Sequence, residues 1–232
     1  MEKRKVMYYA GNFLIGMAVL GLVLTFGQSL YFEAAYKINQ LKGISYGVAN
    51  TSPLGEILKI SRDEQEKSES LLSKVLENNT EKILIPPSTD FSIVIPKIGA
   101  SEKITANVDP ANKKEYLKVL QESIAHAKGS AFPGLNGTTY LFAHSADNFW
   151  NVGRYNAVFY LIGKLENDDD IYVFSQGKRY NYKVYDKKIV DPSDVEYISS
   201  NIGGGDRLIL QTCWPPGTTW KRELVFGKLK SQ

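Results

Sequence analysis

The chain of 232 residues contains one cysteine and only two histidines. A single cysteine excludes an internal disulfide. A zinc site of cysteine and histidine needs about four ligands, more than these residues supply, and is nearly excluded. The excess of positive charge is also small, with 28 Lys and Arg against 25 Asp and Glu. A nucleic-acid-binding face usually shows a clear basic stripe, so this class of protein is not expected. Any chemistry that joins cysteine and histidine must use Cys213 with His126 or His144.

The remaining composition is that of a folded protein. Hydrophobic residues make up 43% of the chain and charged residues 23%, values that exclude wholesale disorder. The length provides for one ordinary domain with additional segments, or for two very small domains.

Charged residues are missing between Lys5 and Glu33, and the stretch 6–32 is mostly apolar. About 20 apolar residues cross the hydrocarbon core of a bilayer, so this stretch predicts a transmembrane signal anchor. The basic residues at 3–5 place the short tail 1–5 in the cytoplasm and the rest of the chain outside a cell membrane that it crosses once. A cleaved signal peptide is the first alternative, although it has a shorter apolar core and a small-residue cleavage site. A buried core helix is the second.

Residues 33–89 show no alternation typical of strands and are interpreted as an extracellular linker. Ser61 begins a capping-box pattern, and leucine and valine then recur at helical spacing, which predicts a helix over 61–78. Its simplest role is to hold the following domain away from the membrane, and docking of a partner protein is the alternative. Pro86 and Pro87 mark the end of the linker.

The region 90–232 shows the sequence pattern of a β domain, with short strands separated by turns. One amphipathic helix is predicted over 112–123. Many short strands with few helices favour a mainly β protein, built as a mainly antiparallel barrel or sandwich. The predicted strands are short and rich in Val, Ile, Phe, Tyr or Thr, and they cover residues 91–96, 138–143, 171–175, 180–185, 207–212 and 223–229.

Cys213 stands where the apolar strand 207–212 ends and a Trp-Pro-Pro-Gly segment begins. Proline cannot continue the hydrogen-bond ladder of a sheet, so the thiol is expected beside a rigid loop that a substrate can reach. The usual fate of a free cysteine is to fill a core as a small apolar side chain. In an exported chain, however, an unpaired thiol usually has a chemical reason to be present.

Two further residues stand at comparable junctions. His144 follows an apolar strand and precedes a polar loop, although an ordinary surface histidine fits the same pattern. Arg222 opens the last strand and lies near Cys213 if the two strands pair across their turn, where a guanidinium can hold a developing oxyanion. An isolated surface arginine is its alternative. His126 precedes a glycine turn and is interpreted as structural or substrate-facing.

Together these motifs resemble the sortases, the membrane-anchored cysteine transpeptidases of bacterial surfaces. The family hallmark T-L-x-T-C is matched by Ile-Leu-Gln-Thr-Cys at 209–213, with isoleucine in place of the first threonine. Two departures are visible, since Ala143 replaces the usual glycine before the histidine and the loop 145–159 is longer than expected. The other matching segments are 95–99, 125–126, 129–134, 136–137 and 221–222.

The resemblance implies a fold and a reaction. The fold is a closed antiparallel β-barrel with a few short helices, preceded by the transmembrane helix. Cys213 is then the nucleophile, His144 the catalytic histidine and Arg222 the group that holds the oxyanion or the substrate, while Thr212 and His126 are assigned to substrate binding.

The substrate implied by the resemblance is a secreted protein with a C-terminal LPxTG-like sorting signal. Its acyl group passes through a thioester to an amine on the cell envelope or on a pilin subunit. No cofactor is needed. The acidic residues 168–170 could bind Ca²⁺, as in some relatives, but carboxylates in a hairpin turn are more often solvated.

Other classes of protein fit less well. A papain-like protease is disfavoured because its histidine follows the cysteine, and the Q-A-C-x-G signature of caspases is absent from the sequence. An exported β domain that binds a cell-surface ligand without catalysis remains open. So does a relative of the sortases that only hydrolyses its substrate.

Overall fold

The computed structural model describes residues 2–49, 81–145, 158–199 and 204–230. The predicted helix 61–78 and most of the loop 145–159 lie outside these residues. Two short 3-10 helices also occur, at Pro96–Ile98 and Ile162–Lys164. Within these described ranges the α-helices are α1 (Glu2–Leu41), α2 (Lys113–Val119) and α3 (Glu196–Ser199), and the strands are β1 (Ser45–Val48), β2 (Glu81–Leu84), β3 (Phe91–Ile95), β4 (Ala100–Val108), β5 (Ile124–Ala127), β6 (Thr138–Phe142), β7 (Asp170–Ser175), β8 (Lys178–Val190), β9 (Arg207–Trp214) and β10 (Lys221–Leu229).

The apolar N-terminal stretch forms part of α1, a single helix of 40 residues. Large apolar side chains along its first half are exposed, among them Tyr8, Phe13 and Leu14. Within the part of the chain that the structure describes, no helix combines the length and hydropathy needed to cross a membrane, so the predicted anchor at 6–32 is not found there.

Eight strands close into a barrel in the order β10-β8-β7-β3-β4-β5-β6-β9. The predicted mainly β, mainly antiparallel barrel is therefore confirmed, and two of its neighbouring strand pairs are parallel. β4 pairs with β5 in parallel, and β6 pairs with β9 in parallel. Parallel neighbours need a long crossover. The connection that carries α2 provides it for the first pair, and the β7–β8 hairpin intervenes between the strands of the second.

Alternation along the barrel strands separates two apolar layers. Side chains such as Leu141, Leu210 and Val225 fill the barrel interior. Their neighbours Phe142, Ile209 and Leu224 point outward, where Tyr116 of α2 and Tyr197 of α3 pack against them. The outer face of β6, β9 and β10 is therefore partly covered by helices. The same face carries Cys213 of β9 and Arg222 of β10.

All six strands predicted from the sequence are present, and β8, β9 and β10 extend at least two residues further than predicted. The helix predicted over 112–123 is the shorter α2, with the Asn112 side chain accepting a hydrogen bond from the backbone N–H of Glu115 at its start. β4 and β5 were not predicted. The predicted linker contributes β1 and β2, which pair in parallel as a separate small sheet.

Candidate active site

Pairing of the last two strands brings Arg222 opposite Cys213. β9 and β10 are antiparallel, and Cys213 and Arg222 are direct cross-strand partners in their register. Side chains of such partners stand on the same face with Cβ atoms about 5 Å apart. Both residues are half-buried. The register therefore places the two residues opposite each other, as the sequence had indicated for paired strands. The Arg222 guanidinium itself donates to the carbonyls of Thr219 at 3.2 Å and Lys221 at 3.0 Å.

The parallel pairing of β6 with β9 brings in His144 from the other side. In this register Phe142 lies beside Gln211, and the N–H of Ala143 donates to the carbonyl of Gln211 at 3.1 Å. Two residues further along each strand, His144 follows β6 and Cys213 lies near the end of β9. By this register the three residues occupy neighbouring positions, with His144 just past the end of β6 and with Cys213 and Arg222 on β9 and β10, and they are called here the Cys213 row.

Thr212 lies one residue out of phase with the Cys213 row and faces the barrel interior. It is 1% exposed, and its hydroxyl donates to the carbonyl of Ala143 at 3.2 Å. This bond ties the end of β9 to the residue before His144. Thr212 is thus placed to hold the row together, and its side chain does not lie on the face of Cys213.

His126 is enclosed within the protein, with 0% exposure. The N–H of Asn107 donates to its Nδ1 at 3.3 Å, so Nε2 carries the proton and donates to the carbonyl of Ala131 at 3.1 Å. Phe91 and Phe132 pack their rings against the imidazole. Burial lowers the pKa of His126, so the ring is neutral at pH 7. The structure brings neither His126 nor Thr212 into the Cys213 row.

The electrostatics of Cys213 determine what the row can do. Burial raises the pKa of the thiol above its ordinary value, and the nearby charge of Arg222 opposes this rise. The resting thiol is therefore protonated at neutral pH. Because the thiolate is the nucleophilic form, a reaction of Cys213 requires a base that removes the proton of the thiol.

Alkylation of Cys213 should report the charge of Arg222. We expect Arg222→Ala to move the midpoint of the pH–rate profile for iodoacetamide to higher pH, because the residue that favours the thiolate is lost. The control is Arg207→Ala, at the opposite end of β9, where the guanidinium donates to the Gly204 carbonyl and the Tyr185 hydroxyl. Equal midpoints in wild type and Arg222→Ala would show that the two side chains do not interact.

Comparison with known proteins assigns the family. The model of the family described as sortase domain matches residues 93–230, more than half of the chain. The chain belongs to the sortase family.

The relatives of this sortase include sortase D of Bacillus subtilis (strain 168), which is 29% identical over 137 residues. That match covers 58% of this chain and 60% of the relative, so the chain spans less than two thirds of the relative's length. Among solved structures, sortase C-1 of Actinomyces oris has a TM-score of 0.51 and 27% identity, over 61% of this chain and 74% of the other. Sortase E1 of Streptomyces coelicolor, solved with a tripeptide in its active site, has a TM-score of 0.50 and 26% identity, over 61% and 88%.

The sequence reasoning missed a polar pair next to the Cys213 row of this sortase. Gln211 lies two residues before Cys213 on the same face of β9, and the hydroxyl of Tyr140 donates to its Oε1 at 2.6 Å. Burial raises the pKa of Tyr140, while Arg222 opposes the rise. The tyrosine is thus a neutral donor that orients the Gln211 amide. A glutamine inside the apolar run 208–212 was the signal for this pair in the sequence.

The acidic residues 168–170 of the sortase have protein partners. The Asp169 carboxylate accepts from the N–H of Glu166 at 2.8 Å, and Asp170 lies 2.9 Å from the ammonium of Lys183. Lys97 lies 3.8 Å from Asp169. Among the residues that the structure describes, no group of three or more His, Cys, Asp or Glu is arranged to hold a metal ion.

Proposed function

We propose that this sortase is a cysteine transpeptidase that cleaves an LPxTG-like sorting signal and transfers the acyl group to an amine. The observation that carries the proposal is the direct pairing of Cys213 with Arg222, with His144 following the strand on the other side of β9. This row supplies a nucleophile, a base and a cationic donor on one surface. The secreted protein with its C-terminal signal is the first substrate, and a cell-wall precursor or a pilin subunit is the amine acceptor.

The first half-reaction forms a thioester. His144 takes the proton of Cys213, and the thiolate attacks the carbonyl carbon of the scissile amide. The negative charge that develops on the carbonyl oxygen is stabilised by the guanidinium of Arg222, which can offer two parallel N–H donors. The C–N bond then breaks as His144 gives its proton to the departing amine, leaving the acyl group on the sulfur.

The second half-reaction transfers the acyl group. The acceptor amine attacks the thioester carbon, His144 takes a proton from this amine, and Cys213 leaves as a thiolate. His144 then returns this proton to Cys213, which restores the resting thiol. The thiol, the imidazole, the sorting signal and the acceptor amine account for every atom and proton in these steps. If water replaces the amine, the same steps give hydrolysis, which is the outcome expected of a hydrolysis-only relative.

The test is turnover of defined peptides by the full chain in detergent. A library of LPxTG-like peptides is incubated with the protein and an oligoglycine amine, and the products are identified by mass spectrometry. We expect cleavage within the signal and a new amide that joins the acyl fragment to the amine. Cleavage without the amide would replace the proposal with hydrolysis. Binding of peptides without any product would favour the ligand-binding β domain.

We also propose that the chain is held in the cell membrane by its N-terminal helix, with the barrel outside the cell. Support comes from the charge-free stretch 6–32, from the basic residues at 3–5, and from the exposed apolar side chains of α1. Extraction of membranes at alkaline pH tests this proposal. The full chain should stay in the membrane pellet, and a variant that begins at residue 33 should be soluble. Release of the full chain by alkali would contradict the proposal.

The guanidinium geometry of Arg222 should matter as well as its charge. A lysine ammonium is a point charge and cannot reproduce the planar fork of donors. We therefore expect Arg222→Lys to keep the fold and to lose kcat by roughly 10²-fold or more, the scale of one lost oxyanion donor. Arg222→Ala should be slower still, with a smaller change in the KM for the peptide, since the lost contact forms mainly in the transition state.

The matched control for this prediction is Arg207→Lys, on the same strand as Cys213 and far from it in register. Arg207 pairs with Lys228 at the other end of the two strands. Its replacement should leave kcat nearly unchanged. A wild-type kcat in Arg222→Lys would show that charge alone suffices, and an equal loss in Arg207→Lys would place the functional arginine elsewhere.

A further inference from the structure

Directly behind the Cys213 row, a second row faces the barrel interior. It consists of Ala143, Thr212 and Glu223, each one residue out of phase with its neighbour in the Cys213 row. Thr212 and Glu223 are cross-strand partners, and the Thr212 hydroxyl donates to the Ala143 carbonyl. An inward-facing glutamate is unexpected at such a position, because Val225, the next inward-facing residue of β10, belongs to the apolar core.

The mouth of the barrel beside Glu223 is closed by the segment 158–165, which follows the loop after His144. Phe159, Ile162 and Leu165 of this segment are 0% exposed and belong to the interior core. These three side chains insert into the mouth. The backbone between them therefore lies close to the inward-facing side chains at the ends of β8 and β10.

Gly163 is the point of contact between this segment and Glu223. A Cβ atom on Gly163 would lie 2.6 Å from Oε1 of Glu223, so the carboxylate occupies the space that a side chain would need. From β8, the ammonium of Lys187 donates to the Gly163 carbonyl at 2.8 Å. Gly163 thus lies between a carboxylate that packs against it and an ammonium that binds its carbonyl, an arrangement called here the Gly163 clamp.

The position of Glu223 in the clamp disfavours the charged form of its carboxyl group. Burial raises the pKa of Glu223, and the charges of Lys187 and Lys164 only oppose this rise. Lys164 is itself engaged, since its ammonium lies 3.0 Å from Glu33 of α1. Taking a charged carboxylate out of water costs free energy that a glutamine of similar volume would avoid.

We propose that Glu223 is a positioning residue of this sortase that acts through the Gly163 clamp. Glu223 and Lys187 fix the segment 158–165 against the mouth of the barrel. They thereby fix the position at which the chain rejoins the barrel after His144. They also fix the packing on the interior side of the strand ends that carry the Cys213 row. The inference rests on the proposed transpeptidation, because positioning is measured there as a rate.

The contact is tested by a double-mutant cycle on the full chain with a sorting peptide and an amine. Gly163→Ala places a methyl group against the carboxylate, and we expect kcat/KM to fall about tenfold, since small displacements of reacting groups are costly in rate. Glu223→Ala in the same chain removes the obstructing side chain. We expect the double variant to recover to within about threefold of Glu223→Ala alone, which is the non-additivity of residues in contact.

The matched control is Glu102, another half-buried glutamate, whose pKa is also raised by burial. It lies on β4, which is separated from β10 by three strands in one direction around the barrel and by three in the other. Glu102→Ala should not rescue Gly163→Ala. Glu223→Gln provides the conservative variant, since it keeps the packing against Gly163 and should retain a kcat/KM close to that of wild type.

Two readouts separate this inference from the proposed function. Absence of turnover by the wild type, with any peptide, would overturn the proposed function. In that case the alkylation rate of Cys213 tests the clamp in the wild type, Gly163→Ala, Glu223→Ala and the double variant. We expect Gly163→Ala to lower this rate and the added Glu223→Ala to restore it. The proposal is wrong if the effects of Gly163→Ala and Glu223→Ala on these rates simply add. It is also wrong if Glu102→Ala rescues Gly163→Ala equally well. Melting curves confirm that every variant compared is folded.

Discussion

Cys213→Ala is expected to abolish both acyl-enzyme formation and the transpeptidation product. No other thiol exists in the chain, so no second nucleophile of the same chemistry can take over. The replacement removes one sulfur atom from a half-buried position at the end of β9, and the free energy of unfolding should change by no more than about 1–2 kcal/mol. The measurement is product formation from peptide and amine, followed by mass spectrometry, beside a thermal melt of the variant.

The control for this prediction must show that the loss is chemical. Peptide binding to Cys213→Ala, followed by fluorescence polarisation, should remain close to that of wild type, because the thiol contributes little to the ground-state complex. Undiminished product from a folded Cys213→Ala protein would end the assignment of Cys213 as the nucleophile.

His144→Ala should lower kcat by about 10³-fold or more, the scale on which a positioned acid–base group acts. The reason is that the buried thiol has a raised pKa and needs a base, and the departing amine needs an acid. The fold should be kept, since His144 is only half-buried after the end of β6. Steady-state kinetics on the purified variant measure the effect.

His126→Ala is the matched comparison, because it replaces the other histidine of the chain. Its ring is buried and bonded to Asn107 and Ala131, so truncation leaves a cavity and unpaired backbone groups. We expect the free energy of unfolding to fall by about 2–4 kcal/mol while the rate per folded molecule falls far less than in His144→Ala. Reversed ranks of the two variants in kcat would show that the base is assigned to the wrong histidine.

The pairing of Cys213 with Arg222 could be predicted because it is local. The two strands are joined by a short connection that contains two prolines and a glycine, and antiparallel pairing of such neighbours follows from the length of the turn. The strands themselves carried a clear signal, since Leu208, Ile209 and Leu210 form a continuous apolar run. This part of the site depends only on interactions near in sequence.

The place of His144 could be predicted only through the resemblance to sortases. Parallel pairing of β6 with β9 joins residues about 70 positions apart, as in the bond between Thr212 and Ala143 at a separation of 69. Periodicity in one strand does not specify its neighbour. The resemblance also assigned Thr212 and His126 to substrate binding. Tertiary packing, which periodicity does not reveal, encloses both side chains.

The sequence did not predict β4 and β5, and the reason is a different one. β5 is only four residues long, with two alanines and a histidine, and β4 mixes charged and small residues with few β-branched ones. Their strand conformation is imposed by neighbours in the barrel, which overrides weak intrinsic preference. The Gly163 clamp is also invisible in the sequence, because it joins three segments that only the closed barrel brings together.

The most direct test of the account is the mass of the intact protein during turnover. The full chain is mixed with a sorting peptide in the absence of an acceptor amine, quenched in acid and measured by mass spectrometry. We expect a species heavier than the free protein by the mass of the acyl fragment, mapped to Cys213 by digestion and lost when an amine or hydroxylamine is added. Cleavage of the peptide without this adduct, or an adduct of the same mass on Cys213→Ala, would contradict the account.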